Sequence, residues 1–365
     1  MEGLKTRVVR LDGGQRRDDA ENTRTGVMVV DQMPKASFHT LFKLCYQDIR
    51  KVCESFALPG VAVVAIDIAR KRLGGSLCVA AKPAHANSAI IGRHGMADLF
   101  LEGDRALSLR HMAVLVYPLR GWDNPGGGDV RYRVLDLRTR TAFEDEQGRR
   151  LEAVAAEGPI FVRCGGYALM FFVTGDSSAW PDKPDEAWQA VPERVYLHEH
   201  VAEPDRWARS RRAQVAARSS KQDGGGGPIS RITLVQASRG PSRARVDLLK
   251  PEERPLGRLQ LKNGRDVQSL VVGRHAADEG ILLGRYDRCD TGGASVFDHQ
   301  SLSRVHCLVV DMDGVIYAVD TASTNGTYLD GREEEVRIVS LSADRELVLG
   351  DDLLRMRWEP GPGLL

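Results

Sequence analysis

The sequence predicts a mostly β protein: two antiparallel β-sandwiches joined by a flexible linker, with one amphipathic helix ahead of the first. Three observations predict it. Short apolar runs broken by turn residues fill 61–174 and return within 231–360, the strand length and spacing of a sandwich or barrel. A stretch rich in Pro, Arg and Gly, 175–230, separates the two β regions. A single helical periodicity, within 35–60, precedes the first.

Residues 1–34 are polar, with Gly13, Gly14 and a mixture of Arg and Asp, and little periodicity, so a mobile leader is expected. From Ser37, the residues Phe38, Leu41, Phe42, Cys45, Ile49, Val52, Cys53 and Phe56 recur at steps of three and four, until Pro59-Gly60 stops the pattern. Such a stripe packs on the β region that follows it, and places Cys45 and Cys53 in a core rather than at a reactive site. Strands are expected at Val61–Ile66, Leu77–Ala80, Ala89–Ile91, His111–Tyr117, Val130–Leu135 and Ile160–Val173. The second β region is expected to begin near Ile232, with strands at Leu259–Leu261, Ile281–Leu283, Val305–Val310, Val315–Val319 and Leu347–Met356.

Bulk properties exclude several function classes. The 365 residues carry 51 Lys plus Arg against 50 Asp plus Glu, a net charge of +1, so no overall field draws in nucleic acid. The Arg-rich stretch from Arg206 to Lys221 reads as solvated linker, and the weight of the whole chain's basic residues toward Arg suggests a GC-rich, bacterial source. The six cysteines form no CxxC pair, so neither a disulfide framework nor a zinc site is expected. His198-Glu199-His200 reads as an exposed polar stretch rather than a metal site, and no cofactor is expected. The most apolar run, Gly60–Ile66, is far short of the roughly 20 residues that span a bilayer. The expectation is a cytoplasmic protein with reduced thiols and no membrane insertion. Gly224–Gly227 are not followed by the Lys-Ser or Lys-Thr of a phosphate-cradling loop, and no hydrolase, zincin or kinase signature occurs, so no enzyme is expected.

The chemistry concentrates in three short motifs of the second β region: Gly284-Arg285, Ser301-Leu302-Ser303-Arg304-Val305-His306 and Ser323-Thr324-Asn325-Gly326-Thr327. Each adjoins an expected strand, and loops at one end of a sandwich come together in space. Arg285 offers a permanently charged planar fork suited to two phosphate oxygens. Ser303 can donate to a third, and Arg304 adds a second cation. Asn325 has a donor and an acceptor with which to hold an extended peptide backbone. Gly326 follows because the turn calls for a positive φ, and His306 is expected to hydrogen-bond within the loop base.

These motifs, in this order, resemble the forkhead-associated (FHA) domain family over residues 255–360, with Val348-Leu349-Gly350-Asp351 resembling its closing turn. The resemblance implies a β-sandwich that binds phosphothreonine peptides through Arg285, Ser303, Arg304, Thr324 and Asn325, with Gly284, His306 and Gly326 structural. The first β region looks like a degenerate copy, with Gly92-Arg93, Leu107-Ser108-Leu109-Arg110-His111 and Val130-Arg131-Tyr132-Arg133-Val134. Aligning that last strand on Val315-Ile316-Tyr317-Ala318-Val319 sets Thr139 opposite Thr324 and puts Arg140-Thr141 where Asn325-Gly326 stand. Arg93 and Ser108 are then a weak phosphate site without the peptide-holding Asn, and the N-terminal half is a scaffold or dimerisation unit. The implied protein is a phosphothreonine-dependent adaptor, whose partner is a Ser/Thr kinase or its substrate. The alternative is a phosphate-independent structural or secretion-apparatus component.

Overall fold

The computed structural model describes residues 36–120, 129–139, 141–175, 180–196, 198–201, 248–264, 266–291, 294–351 and 354–361. The leader, and the greater part of the segment read as linker together with the expected strand start at Ile232, lie outside these residues.

In place of the single expected helix there are two, α1 (Phe38–Leu44) and α2 (Tyr46–Glu54). Ser37 caps the first, its Oγ accepting the Thr40 N–H at 3.1 Å. Cys45 leaves the helical region at φ −105°, ψ 14°, although its own N–H still reaches the Leu41 carbonyl. The apolar stripe runs on across this break. Phe38, Leu41, Phe42, Cys45, Tyr46, Ile49 and Cys53 form one buried cluster with Ala62, Val64, Ile66, Met170 and Phe172. Hydrophobic period therefore predicted the buried face correctly but carried no signal of the one residue that departs from the helix.

The first sandwich comprises β1 (Gly60–Asp67), β2 (Arg72–Ala80), β3 (Asn87–Gly92), β4 (Leu99–Phe100), β5 (Met112–Val116), β6 (Tyr132–Asp136), β7 (Phe143–Glu144), β8 (Arg150–Ala156), β9 (Ile160–Cys164) and β10 (Tyr167–Thr174). Two elements of the segment read as linker are built into it. Helix α3 (Pro184–Ala190) places Trp188 against Phe42 and Phe161, and β11 (His198–Val201) pairs antiparallel with β8.

The second sandwich comprises β12 (Pro255–Asn263), β13 (Asp266–Gly273), a short helix α4 (Arg274–Glu279), β14 (Ile281–Leu283), β15 (Cys307–Met312), β16 (Val315–Asp320), β17 (Thr327–Leu329), β18 (Ile338–Ser340), β19 (Glu346–Leu349) and β20 (Leu354–Pro360). Its sheets run β13-β12-β20-β19-β17 and β14-β15-β16-β18. The first sandwich repeats that order strand for strand, as β2-β1-β10-β9-β7 and then β8-β6-β5-β3 with β4 beyond it. The difference is that β7 pairs with both β9 and β8, which joins the two halves into one hydrogen-bonded path.

Side-chain alternation stacks these sheets into layers. On β1, Val61, Val63 and Ala65 face the first sandwich core while Ala62, Val64 and Ile66 face the helices. On β5, Met112, Val114 and Val116 face the same core, whereas Ala113 and Leu115 turn outward. On β15, Cys307 and Val309 enter the second core, and Leu308, Val310 and Met312 turn outward. The two outward sets meet. Ile90, Ala113, Leu115, Leu135 and Ala153 pack against Leu282, Leu308, Val310, Tyr317 and Val319 in one buried cluster. The sandwiches expected to be tethered by a linker are therefore packed sheet on sheet. Polar contacts frame this junction: Arg138 pairs with the buried Asp290 at 2.9 Å, Arg120 with Asp313 at 2.7 Å, and Arg337 with Asp98.

Candidate functional site

The three motifs of the second sandwich converge at one end, and backbone geometry brings them there. The Arg285 N–H donates to the Ser303 carbonyl at 3.4 Å, and the Tyr286 N–H to the Arg304 carbonyl at 2.9 Å. This approach needs Gly284, because a Cβ there would lie 2.4 Å from the Arg304 carbonyl oxygen. His306 fastens the third motif. Its Nδ1 accepts the Ser303 N–H at 3.1 Å, and its Nε2 donates to the Gly326 carbonyl at 3.1 Å. Acceptance at Nδ1 needs the neutral ring, and burial first of all lowers the His306 pKa. Gly326 holds a positive φ of 70°, as the turn chemistry required.

Arg285 is exposed, and its guanidinium has no hydrogen bond or ion pair among the described residues. Arg304 is in the same state. Ser303 is buried, with its hydroxyl accepting the Thr324 N–H at 2.9 Å. Asn325 donates its amide to the Ser301 carbonyl and to Asp351, both at 3.0 Å, and so ties the loop to the closing turn at Gly350-Asp351. Its carbonyl oxygen has no donor among the described residues. Below the loop, Asp320 accepts from the Ser323 N–H and hydroxyl and from the Thr327 hydroxyl, at 2.6–2.7 Å.

The first sandwich reproduces this framework bond for bond. Arg93 N–H donates to Ser108 O and His94 N–H to Leu109 O; His111 Nδ1 accepts the Ser108 N–H at 3.0 Å, and its Nε2 reaches the Thr141 carbonyl at 3.0 Å. Gly92 is forced as Gly284 is, since a Cβ there would lie 2.2 Å from the Leu109 carbonyl oxygen. Asp136 takes the Thr139 N–H and hydroxyl at 2.8 and 2.5 Å, as Asp320 takes those of Ser323. Thr139 therefore stands where Ser323 stands, not where Thr324 stands. The strand alignment is off by one: Met112 faces Asp136 across β5 and β6 as Cys307 faces Asp320 across β15 and β16. One residue, Arg140, separates Thr139 from Thr141, where Thr324 and Asn325 separate Ser323 from Gly326. The first loop is one residue shorter, and Asn325 has no counterpart in it.

Arg110 is the residue that motif reading passed over. It is carried by the first sandwich and is buried, yet it crosses the junction, its Nε donating to the Ala322 carbonyl at 2.9 Å and its Nη2 lying 3.5 Å from Ser303 Oγ. Burial lowers its pKa, with Asp320 opposing and the neighbouring Arg304 reinforcing that shift. A signal was present in Leu-Ser-Leu-Arg-His, where the second copy has Leu-Ser-Arg-Val-His, but sequence alone does not show that the Arg faces the other sandwich.

Fold and site together define a β-sandwich module with a polar cup at one end of its loops. The C-terminal sandwich is an FHA domain: the model of that family matches residues 271–351. No curated protein matches the chain. Solved structures to which it is similar include Mycobacterium tuberculosis Rv1747 FHA-1, at 24% identity over 30% of this chain and 100% of that one, TM-score 0.24. The FHA domain of the CT664 protein from Chlamydia trachomatis is similar at 20% identity over 29% of this chain and 99% of that one, TM-score 0.23. Mycobacterium tuberculosis EmbR in complex with a low affinity phosphopeptide is similar at 19% identity over 29% of this chain and 25% of that one, TM-score 0.23. No helix among the described residues is long and apolar enough to cross a membrane.

Proposed function

We propose that the protein is a phosphothreonine-dependent adaptor, in which the C-terminal FHA domain holds a phosphorylated partner and the N-terminal sandwich carries and orients that domain. The observation that carries this reading is the state of Arg285: an exposed guanidinium with no partner among the described residues, fixed at its backbone to Ser303, whose hydroxyl in turn holds the Thr324 N–H. A phosphate there would take the Arg285 fork and the Ser303 or Thr324 hydroxyl, with Arg304 adding charge. The carbonyl oxygen of Asn325, without a donor among the described residues, suits a peptide N–H beside the phosphorylated residue. A Ser/Thr kinase or its substrate fits as the partner. In the first copy Arg93 keeps its place, but the shorter loop offers no counterpart of Asn325, which favours a scaffold over a second peptide reader.

The test is binding of the full chain to a degenerate phosphothreonine peptide pool, beside its unphosphorylated twin. The expected result is phosphate-dependent binding that Arg285→Ala reduces at least about tenfold, as befits a charge-assisted bidentate contact. Equal binding of the two pools would instead favour a phosphate-independent scaffold.

A further inference from the structure

Where the two sandwiches meet, beside the candidate site, lies a cavity of about 280 Å³. Among the described residues six arginines line it, Arg93, Arg105, Arg110 and Arg138 from the first sandwich and Arg288 and Arg304 from the second, and no Asp or Glu does. Only part of this charge is compensated. Arg138 is paired with Asp290 at 2.9 Å. Arg93 donates to the Leu107 carbonyl and Arg110 to that of Ala322, contacts that satisfy N–H groups without cancelling charge. Arg105 and Arg304 are exposed and have no hydrogen bond or ion pair among the described residues. Like charges held together in this way repel one another, and an arrangement built from two separate sandwiches gains most from an anion that draws on both.

The cavity is continuous with the FHA site. Arg304 is next to Ser303 in sequence and lines the cavity, and Arg110 reaches from the cavity to within 3.5 Å of Ser303 Oγ. Ser108 and Arg93, the counterparts of Ser303 and Arg285, line it as well. We propose that this cavity is a second phosphate subsite, which takes a second phosphate monoester on the peptide whose phosphothreonine occupies the FHA site. The proposal rests on the adaptor reading and deepens it. It makes the junction between the sandwiches part of the recognition surface, and the protein a reader of paired phosphorylation rather than of a single mark. The second phosphate lies within a few residues of the first, since an extended peptide advances about 3.3–3.6 Å per residue and the two sites share a wall.

The test compares the full chain's affinity for a pool-selected peptide bearing one phosphothreonine with that for peptides bearing a second, placed about two to six residues to either side. The expected result is a spacing-dependent gain of about tenfold or more, falling with salt. Arg105→Ala and Arg105→Glu should remove that gain and leave binding of the singly phosphorylated peptide unchanged. Inorganic phosphate, compared with chloride at matched ionic strength, should raise the melting temperature of Arg285→Ala protein but not of Arg285→Ala protein that also carries Arg93→Ala and Arg105→Ala. Binding of the single phosphopeptide with no gain at any spacing would overturn the second subsite alone. Failure of the single phosphopeptide to bind would overturn the adaptor reading, and the inorganic phosphate comparison would still decide the fate of the cavity.

Discussion

Gly284 and Gly92 occupy the same place in the two sandwiches, each where a Cβ would press into a carbonyl oxygen, that of Arg304 at 2.4 Å and of Leu109 at 2.2 Å. Backbone cannot give way as a side chain can. Gly284→Ala should cost about 1–3 kcal/mol in denaturant unfolding and weaken phosphopeptide binding, because Arg285 is held by the strand end that would move. The histidines allow a test by pH. Burial lowers His111 to about 4 and raises Asp136, 3.8 Å away, to about 7. The neutral ring is favoured in the folded state, so the His111 contribution is complete above its ordinary 6.5 and lost as pH falls through about 4. Asp136 runs the other way. Its protonated form is favoured, so its contribution is complete below its ordinary 3.8 and lost as pH rises through about 7. The two oppose each other over the same interval. Asp136→Asn protein should therefore lose melting temperature more steeply than wild type between pH 6.5 and 4; an unchanged or shallower slope would contradict this assignment.

At the scale of elements, most strands were legible in the sequence, and the failures have physical causes. Ile160–Val173 and Leu347–Met356 each read as one run but are two strands folded at Gly165-Gly166 and Gly350-Asp351, because the apolar residues on either side outweighed the glycine turns between them. Strand β13 was missed since Asp266, Val267 and Ser269 face solvent, and β8 since Glu152 and three alanines weaken its β character. The strand alignment slipped by one residue for a similar reason. Strands β6 and β16 are covered on both faces, so neither carries the alternation that would fix register. That double covering was itself the signal of the junction. Cys307–Val310 and Met112–Val116 are continuous apolar runs in antiparallel strands, and a sheet with a solvated face would alternate. Leu308→Ala, which empties a place in the junction cluster, should destabilise the protein by about 2–5 kcal/mol. Arg138→Met should cost about 3 kcal/mol, since it removes the cation that pairs with the buried Asp290 carboxylate at 2.9 Å. Thermal or denaturant unfolding measures both.

At the scale of the whole molecule, the chain is a stack: helices, the two sheets of the first sandwich, then the two sheets of the FHA domain. The motifs of the FHA site could be read from the sequence because each is short and local. The cavity could not, because its arginines come from distant segments, and only the packing of one sandwich on the other brings them together. One consequence concerns how the domain behaves alone. A fragment spanning 248–361 would expose Leu282, Leu308, Val310, Tyr317 and Val319, and should melt at a lower temperature than the full chain and self-associate, as sedimentation would show. The central claim is that the site reads phosphate through Arg285, and titration of the intact protein with matched phosphothreonine and unphosphorylated peptides, beside Arg285→Ala, tests it most directly. The account predicts binding that requires both the phosphate and the arginine. Equal affinity for the two peptides, or affinity undiminished in the variant, would contradict it.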